Sequence, residues 1–412
     1  MIIDSKKYNG ACSCGHTHNM TTEFCVIEDG ALNDFEKYIN QASLSGRSVC
    51  VYDENTYEAL AGVRPKADEE IILPSENLHA DNHGVEMLSQ KLSGEIGYLI
   101  AAGSGTVHDL VRYCASNLGV PFVSCPTAAS VDGFCSSVAA MTWHGYKKTL
   151  TCVAPKIVVA DLNVIKKAPF RLTKSGFGDI AGKYIALSDW KIGNILTGEY
   201  FCEKIYNMTK AATDAVIKSA PALKSGDLAA YSNLMYSLIM SGLAMQLLGN
   251  SRCASGAEHH ISHLIEMQPE GLGVSSSALH GEKVGVGTLI AASFYHSQKN
   301  CSNWNDYPKI TEPYTKKMFG EKLIDAIMKE NENDACAGIT KEQIIKNLSK
   351  IKSVINEIPT LDELMEIYIS LDVKRSLSDI EASEDILPLI LEFSPLVRNR
   401  LTFMRLLRAK GE

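Results

Sequence analysis

The chain reads as an α/β nucleotide-binding domain followed by an all-helical domain, and three observations predict this. Short apolar runs bounded by turn residues alternate with helical patterns from about residue 23 to about residue 165. Within that stretch the turn Gly103-Ser-Gly-Thr106 joins an apolar run to a helix. From about Lys174 onward the apolar spacing becomes helical, with no strong strand pattern between. The shift near residues 165–174 sets the expected boundary, giving domains of 1–165 and 166–412.

At 412 residues, 45% of them hydrophobic, the chain is long enough for two cores. Its net charge of −8 argues against nucleic acid or an anionic membrane as the main partner, while leaving room for a local cluster of anion donors. The segment Met1-Ile-Ile-Asp-Ser-Lys-Lys-Tyr8 has neither the apolar run nor the cleavage site of a signal peptide. No stretch reaches the roughly 18 apolar residues of a membrane span. The twelve cysteines are mostly scattered through apolar segments, as reduced thiols are, so a cytoplasmic location is expected.

Taken in order, Cys12-Ser-Cys-Gly-His-Thr-His18 comes first and has the residue types of a zinc site. Cys12, Cys14, His16 and His18 are the possible ligands. Spacings of i, i+2 in an extended stretch throw all four to one side, which disfavours a tetrahedral cage, so the segment reads as a loop. Glu23-Phe-Cys-Val-Ile27 is a strand, a helix covers about 31–44, and Arg47-Ser-Val-Cys-Val-Tyr52 is a short buried strand. Asp53 follows, and either bonds the ribose of a dinucleotide or caps the next helix. Further elements are a strand near 70–73, a helix over about 84–92 and the strand Tyr98-Leu-Ile-Ala101. That strand enters Ala102-Gly-Ser-Gly-Thr-Val-His-Asp109, a small turn before a helix, whose backbone N–H groups suit a phosphate. Pro121-Phe-Val-Ser-Cys-Pro-Thr-Ala-Ala-Ser-Val-Asp-Gly133 is a strand and then a run of small residues fit for a flat ligand. Lys156-Ile-Val-Val-Ala-Asp161 closes the series as a parallel-type strand.

Helices are expected over 211–219, 228–248, 323–330 and 340–358, the last stopped by Pro359. Residues 393–408 carry four arginines on an apolar scaffold and read as a terminal helix with a solvated basic face. The chemistry of this half centres on Ser255-Gly-Ala-Glu-His-His-Ile-Ser-His263. His259 and His263, at i, i+4, project from one helix face, and His280 arrives from the next segment. Three imidazoles from two elements suit a metal. Asp179 in Gly176-Phe-Gly-Asp-Ile180 is the candidate carboxylate, its alternative being a helix N-cap. His260 points about 100° away and is a core or supporting histidine.

Gly103-Ser-Gly-Thr-Val-His-Asp109, Pro126-Thr-Ala-Ala-Ser-Val-Asp-Gly133, Ser255-Gly-Ala-Glu-His259 and His280-Gly-Glu-Lys-Val284 together resemble the sn-glycerol-1-phosphate dehydrogenase family. The blocks stand in the family order between about residues 45 and 290. The resemblance implies the iron-containing alcohol dehydrogenase-like, dehydroquinate synthase-like fold, with a metal in the cleft between its domains. It implies that Asp179, His259 and His280 hold that metal, so only one histidine of the first helix is a ligand. Asp132, Asp179 and His263 would meet the substrate, with Asp132 and His263 as the catalytic pair. Gly103, Ser104, Gly105, Thr106, Val107 and His108 would take the cofactor pyrophosphate. Thr127, Ala128, Ala129, Ser130 and Ser136 would line the nicotinamide side, and Asp53 the adenosine end.

The activity implied is reduction of dihydroxyacetone phosphate to sn-glycerol 1-phosphate by NADH or NADPH. A carboxylate at Asp53 would favour NADH by repelling a 2′-phosphate. Two imidazoles and one carboxylate suit Zn²⁺, and also Ni²⁺. Arg252, Lys147 and Lys148 are the candidate partners of the substrate phosphate. The alternatives are a glycerol or polyol dehydrogenase without phosphate specificity, a dehydroquinate synthase-like lyase and a non-catalytic metal and nucleotide sensor. Such lyases usually carry Glu at the Asp179 position, which counts against the second. A homo-oligomer, a dimer in the first instance, is the expected assembly, and phospholipid synthesis of the ether type is the expected destination of the product.

Overall fold

Seven strands form one sheet in the computed structural model, which describes residues 1–143 and 146–411, without the side chains of Tyr146 and Lys147. They are β1 (Ile2–Asp4), β2 (Phe24–Glu28), β3 (Ser48–Asp53), β4 (Glu69–Leu73), β5 (Tyr98–Gly103), β6 (Phe122–Pro126) and β7 (Ile157–Asp161). The spatial order is β1-β2-β7-β6-β5-β3-β4, with β1 antiparallel and the rest parallel. Parallel strands covered on both faces are buried at consecutive positions, and β2, β3, β5, β6 and β7 are, whereas the edge strand β4 alternates and buries only Ile71 and Leu73. Cys50 and Tyr52 join Val26, Ile100 and Val159 in one core, while Val49 and Val51 join Leu99, Phe122 and Leu110 in the other.

The connections give this sheet a switch point. β3 leads outward to β4 on one side, and its neighbour β5 leads to β6 on the other. Ligands of open α/β sheets bind where the C-terminal ends of such a pair diverge. Asp53 ends β3 and Gly103 ends β5, so the two positions flank that crevice. Helix α1 (Gly105–Leu118) starts there and closes on Gly119, whose φ of 70° suits a left-handed cap.

Each expected strand is present, and a hairpin of Val138–Trp143 with Tyr146–Thr151 is added to them. Its first strand is rich in alanine, which hides the pattern; Ala139 and Met141 turn inward while Ala140 is exposed.

Residues Met1–Phe177 and Asp214–Asn250 form one compact unit, and Gly178–Thr213 with Ser251–Glu412 the other. The expected boundary near 165–174 is therefore corrected: the division falls inside helix α2 (Phe170–Ala181), and α4 (Leu228–Leu248) belongs with the sheet. Between them in the chain runs α3 (Lys183–Thr197). The reason for the placement of α4 is its apolar circumference, which needs burial all round. Gly242 lets it close on Cys135, since a Cβ there would stand 2.9 Å from the Cys135 carbonyl carbon. The expectation that no stretch has the apolarity of a span is also corrected. By length and composition α4 qualifies, and 72% of its most apolar window is buried inside the protein.

In the second unit the C-terminal arginines are not a solvated helix face. Pro395 and the extended Thr402 break the helix, and Arg400 and Arg405 turn inward. Arg405 is fully buried and donates to Asn331 Oδ1 at 2.7 Å, Pro395 O at 2.8 Å and Asp334 Oδ1 at 3.1 Å. Arg400 donates to Ser255 O at 3.1 Å and Ser251 Oγ at 2.7 Å.

Candidate metal centre and cofactor loop

Two helices of the second unit, α5 (Ala257–Met267) and α6 (His280–Gln298), carry the histidines. Ligand atoms of Asp179, His259 and His280 all lie within 4.8 Å of one another. Asp179 Oδ1 and His259 Nε2 are 3.6 Å apart, close to the roughly 3.4 Å edge expected of a tetrahedral site with Zn–N and Zn–O bonds. Asp179 sits inside α2, so the N-cap alternative is excluded. Its approach depends on glycine. A Cβ on Gly178 would meet Gly281 O at 2.2 Å, so the α2 and α6 backbones touch beside Asp179 and His280, two of the candidate ligands.

Each imidazole is held by a carboxylate. His259 Nδ1 lies 2.7 Å from Glu258 Oε1, and His280 Nδ1 lies 2.8 Å from Glu266 Oε1. A carboxylate accepts, so Nδ1 carries the proton and Nε2 presents its lone pair inward. This is the outer-shell arrangement that fixes a ligand's tautomer. Glu258 is itself fixed, since Oε1 also accepts from Gly256 N at 2.9 Å. Lys183 Nζ, fully buried, donates to Asp179 Oδ1 at 2.8 Å and to Ala254 O at 3.0 Å. Burial alone would raise the Asp179 carboxyl, but Lys183, His259 and His280 hold it well below the usual carboxylate range. An ionised carboxylate and two inward lone pairs fit a divalent cation.

His263 shares the cluster, its ring centroid 5.9 Å from those of both His259 and His280. Burial pushes its pKa well below 6.5; Glu266 opposes this, while Arg398, His259 and His280 add to it. The imidazole is therefore neutral at pH 7. His260 is fully buried, neither ring nitrogen has a partner among the described residues, and it serves as a core residue.

Residues 26–169 match the family described as iron-containing alcohol dehydrogenase. The glycerol-1-phosphate dehydrogenase (NAD(P)+) of Bacillus licheniformis is 37% identical over 341 residues, covering 79% of this chain and 84% of that one. Its counterpart in Bacillus velezensis is 41% identical over 285 residues, covering 66% and 71%. The chain belongs to the glycerol-1-phosphate dehydrogenase family. An iron-containing alcohol dehydrogenase from Corynebacterium glutamicum superposes with a TM-score of 0.60 at 13% identity, covering 96% of this chain and 97% of that one, and shows the shared fold.

The candidate cofactor loop lies in the first unit. Ser104 caps α1 without a side-chain bond, and His108 N is the first amide to find a helical acceptor, Ser104 O at 3.2 Å. The amides of Gly105, Thr106 and Val107 are thus the orphan donors of a helix N-terminus, as an anion needs. Val107 contributes backbone only, because its side chain packs on Gly103, where a Cβ would stand 2.6 Å from Val107 Cβ. His108 is corrected from ligand contact to support. It is 1% exposed, with Nδ1 2.9 Å from Ser104 O and Nε2 2.8 Å from Ser124 Oγ. Burial drops its pKa to about 3. Thr127 N donates to Gly103 O at 3.0 Å, which ties the run Thr127, Ala128, Ala129, Ser130 to the loop. Gly176 of α2 rests on Ala129 O, and Ser175 Oγ donates to Ser130 O at 3.1 Å.

Three other expected site residues turn out to have structural bonds. Asp53 is the N-cap of the next helix, accepting from Thr56 N at 2.8 Å in a capping box. Ser136 is buried and accepts from Val138 N at 3.0 Å. Arg252 is corrected from phosphate donor to clamp: it forks onto Glu199 and donates to Asp189 O at 3.2 Å and Leu401 O at 2.7 Å. Lys148 is exposed on the hairpin, and the Lys147 side chain lies outside the described residues. Asp132, in the first unit, accepts from Ser241 Oγ at 2.7 Å. Sequence reasoning missed Glu258, Glu266 and Lys183. Their signals were present, since Glu258 adjoins His259 and Lys183 follows Asp179 at i+4, the spacing of a helical ion pair.

Proposed function

We propose that this dehydrogenase reduces dihydroxyacetone phosphate to sn-glycerol 1-phosphate, with NADH preferred and Zn²⁺ as the resident metal. The observation that carries the reading is the convergence of Asp179, His259 and His280 with both histidines locked by glutamates. When bound, a divalent cation supplies Lewis acidity to a ketone and a dihydronicotinamide supplies hydride. The residues do the rest. Asp179, held by Lys183, and the two Nε2 lone pairs form a site of one negative charge for a 2+ ion, which leaves positive field for a developing alkoxide. Neutral His263 would donate an N–H hydrogen bond to the ketone oxygen, and the proton that ends on that oxygen would come from solvent, because an imidazole that gave up its own would be left as imidazolate. Asp132 enters as a second substrate-facing group. The amides of Gly105, Thr106 and Val107 take the pyrophosphate, and Asp53, although its Oδ1 caps the next helix, places a carboxylate charge at the crevice that disfavours a 2′-phosphate.

Phosphate recognition falls to Arg398 in this reading. Burial lowers the His263 and His260 imidazoles and the Arg398 charge adds to this, and an arginine fork matches a phosphate. Ni²⁺ suits the same donors, so metal identity follows the better-supported rate in metal-swap assays. The twelve cysteines are thiols rather than disulfides, which supports a cytoplasmic setting.

The test is NADH and NADPH oxidation on addition of dihydroxyacetone phosphate, with the stereochemistry of the product determined. The reading expects sn-glycerol 1-phosphate, and Arg398→Ala should raise KM for the phosphorylated ketone while leaving turnover of dihydroxyacetone unchanged. Release of the sn-3 phosphate, or faster turnover of free glycerol, would overturn it.

A further inference from the structure

The N-terminal segment, expected to be a loop, folds as a hairpin with a tight turn. Gly10–Ala11 pairs antiparallel with Thr17–His18, so the cysteines sit in the connecting turn and not in an extended run. Cys12 N donates to His16 O at 2.9 Å, Gly15 N donates to Cys12 O at 3.0 Å, and Gly15 takes a φ of +86°. That folding removes the objection that alternate residues point one way. The donor atoms of Cys12, Cys14 and His18 lie within 4.8 Å of one another. Cys14 Sγ is 3.4 Å from His18 Nε2, near the roughly 3.5 Å edge that a tetrahedral zinc site spans between sulfur and nitrogen. His16 stays exposed, its Nδ1 3.4 Å from Cys14 O, and is outside the set.

His18 carries the second, independent sign. The ring is 2% exposed, and Nδ1 lies 2.8 Å from Leu247 O, near the end of α4. A carbonyl only accepts, so the proton is on Nδ1 and Nε2 offers a lone pair towards the thiols. The same device orients the histidines of the Asp179 centre. We propose that Cys12, Cys14 and His18 bind a structural Zn²⁺, completed by a fourth ligand from outside the turn. Two thiolates and a neutral imidazole are soft, charge-balancing donors for zinc. Binding releases the two thiol protons, and the ion pins the N-terminal hairpin, through His18, to α4. This inference is independent of the substrate assignment.

Cobalt substitution of the full-length protein separates this site from the other, because only thiolate ligands give intense near-ultraviolet sulfur-to-cobalt charge-transfer absorption. The wild type should show that band, and Asp179→Asn/His259→Ala should keep both the band and a tightly held zinc equivalent. Cys14→Ser should lose the band and one zinc equivalent, lower the unfolding temperature and keep wild-type kcat. His16→Ala should change nothing. Absence of the band in the cobalt-loaded wild type overturns the proposal even if Cys14→Ser fails to fold. Its loss in His16→Ala overturns the ligand assignment.

Discussion

Gly178→Ala tests whether the contact of two helices builds the metal centre. The added Cβ would stand 2.2 Å from Gly281 O, 3.2 Å from the Gly281 carbonyl carbon and 3.3 Å from Gly285 Cα, whereas ordinary contact begins at 3.4 Å. All three neighbours are backbone atoms that cannot rotate aside, so α2 and α6 must part by about 1 Å. Asp179 directly follows the substituted residue, and His280 directly precedes Gly281. The separation therefore falls on the distance between two of the proposed ligands. Metal sites tolerate ligand errors of about 0.2 Å, so a shift of about 1 Å removes one ligand from reach. The expected result is a loss of Zn²⁺ affinity of about 100-fold or more, about 2.7 kcal/mol, beside an overpacking cost of about 1–3 kcal/mol in stability. The assay is competition for Zn²⁺ against a chromophoric chelator, with unfolding followed in parallel. Gly176→Ala is the control. Its Cβ would strike Ala129 O at 2.1 Å, so it should weaken NADH binding and spare the metal. Wild-type zinc affinity in Gly178→Ala would refute the reasoning.

Other expectations follow from single contacts. Glu258→Gln keeps the side chain's shape but removes the charge behind His259 Nδ1, and should weaken metal binding about 10- to 100-fold, read by the same competition. Glu266→Gln should do likewise through His280. His108 is neutral when folded and titrates from about 3 against an ordinary 6.5, so its contribution to stability is full above pH 6.5 and lost as pH falls towards 3. Between those limits the wild type should lose about 1.4 kcal/mol per pH unit more than His108→Gln in urea unfolding; equal slopes would contradict the buried neutral histidine. Arg405→Ala leaves Asp334, only 13% exposed, without its guanidinium. A loss of about 3–5 kcal/mol in unfolding free energy is expected, against less than about 1 kcal/mol for the exposed Lys66→Ala.

Much of the fold and of the main site was legible in the residues. Apolar runs of four or five residues with β-branched members announce parallel strands because burial on both faces demands them, and all of those expected are present. The turn after β5 was legible because a strand, two glycines and a helix leave few backbone paths. His259, His263, His280 and Asp179 were candidates from residue type and spacing, and the resemblance of four motif blocks to a known family singled out His259, His280 and Asp179 among them. The roles of neighbours were less visible. Asp53, Ser136, His108 and Arg252 have the right residue types for ligand contact, yet each is bonded to its own unit, and a bond to a distant carbonyl or amide leaves no trace in local spacing.

Local chemistry and periodicity alone determined the α/β-then-helical order, the candidate anion-binding turn and the residue types of the two clusters proposed to hold metal. Tertiary structure alone decided that α4 joins the sheet unit, that Arg400 and Arg405 face inward, and that the donor atoms of Cys12, Cys14 and His18 come within 4.8 Å of one another. The physical reason is range. Strand and helix patterns arise from neighbours a few residues apart, whereas the glutamates behind the histidines, the Gly178–Gly281 contact and the His18–Leu247 bond join residues brought together only when the chain has closed on itself.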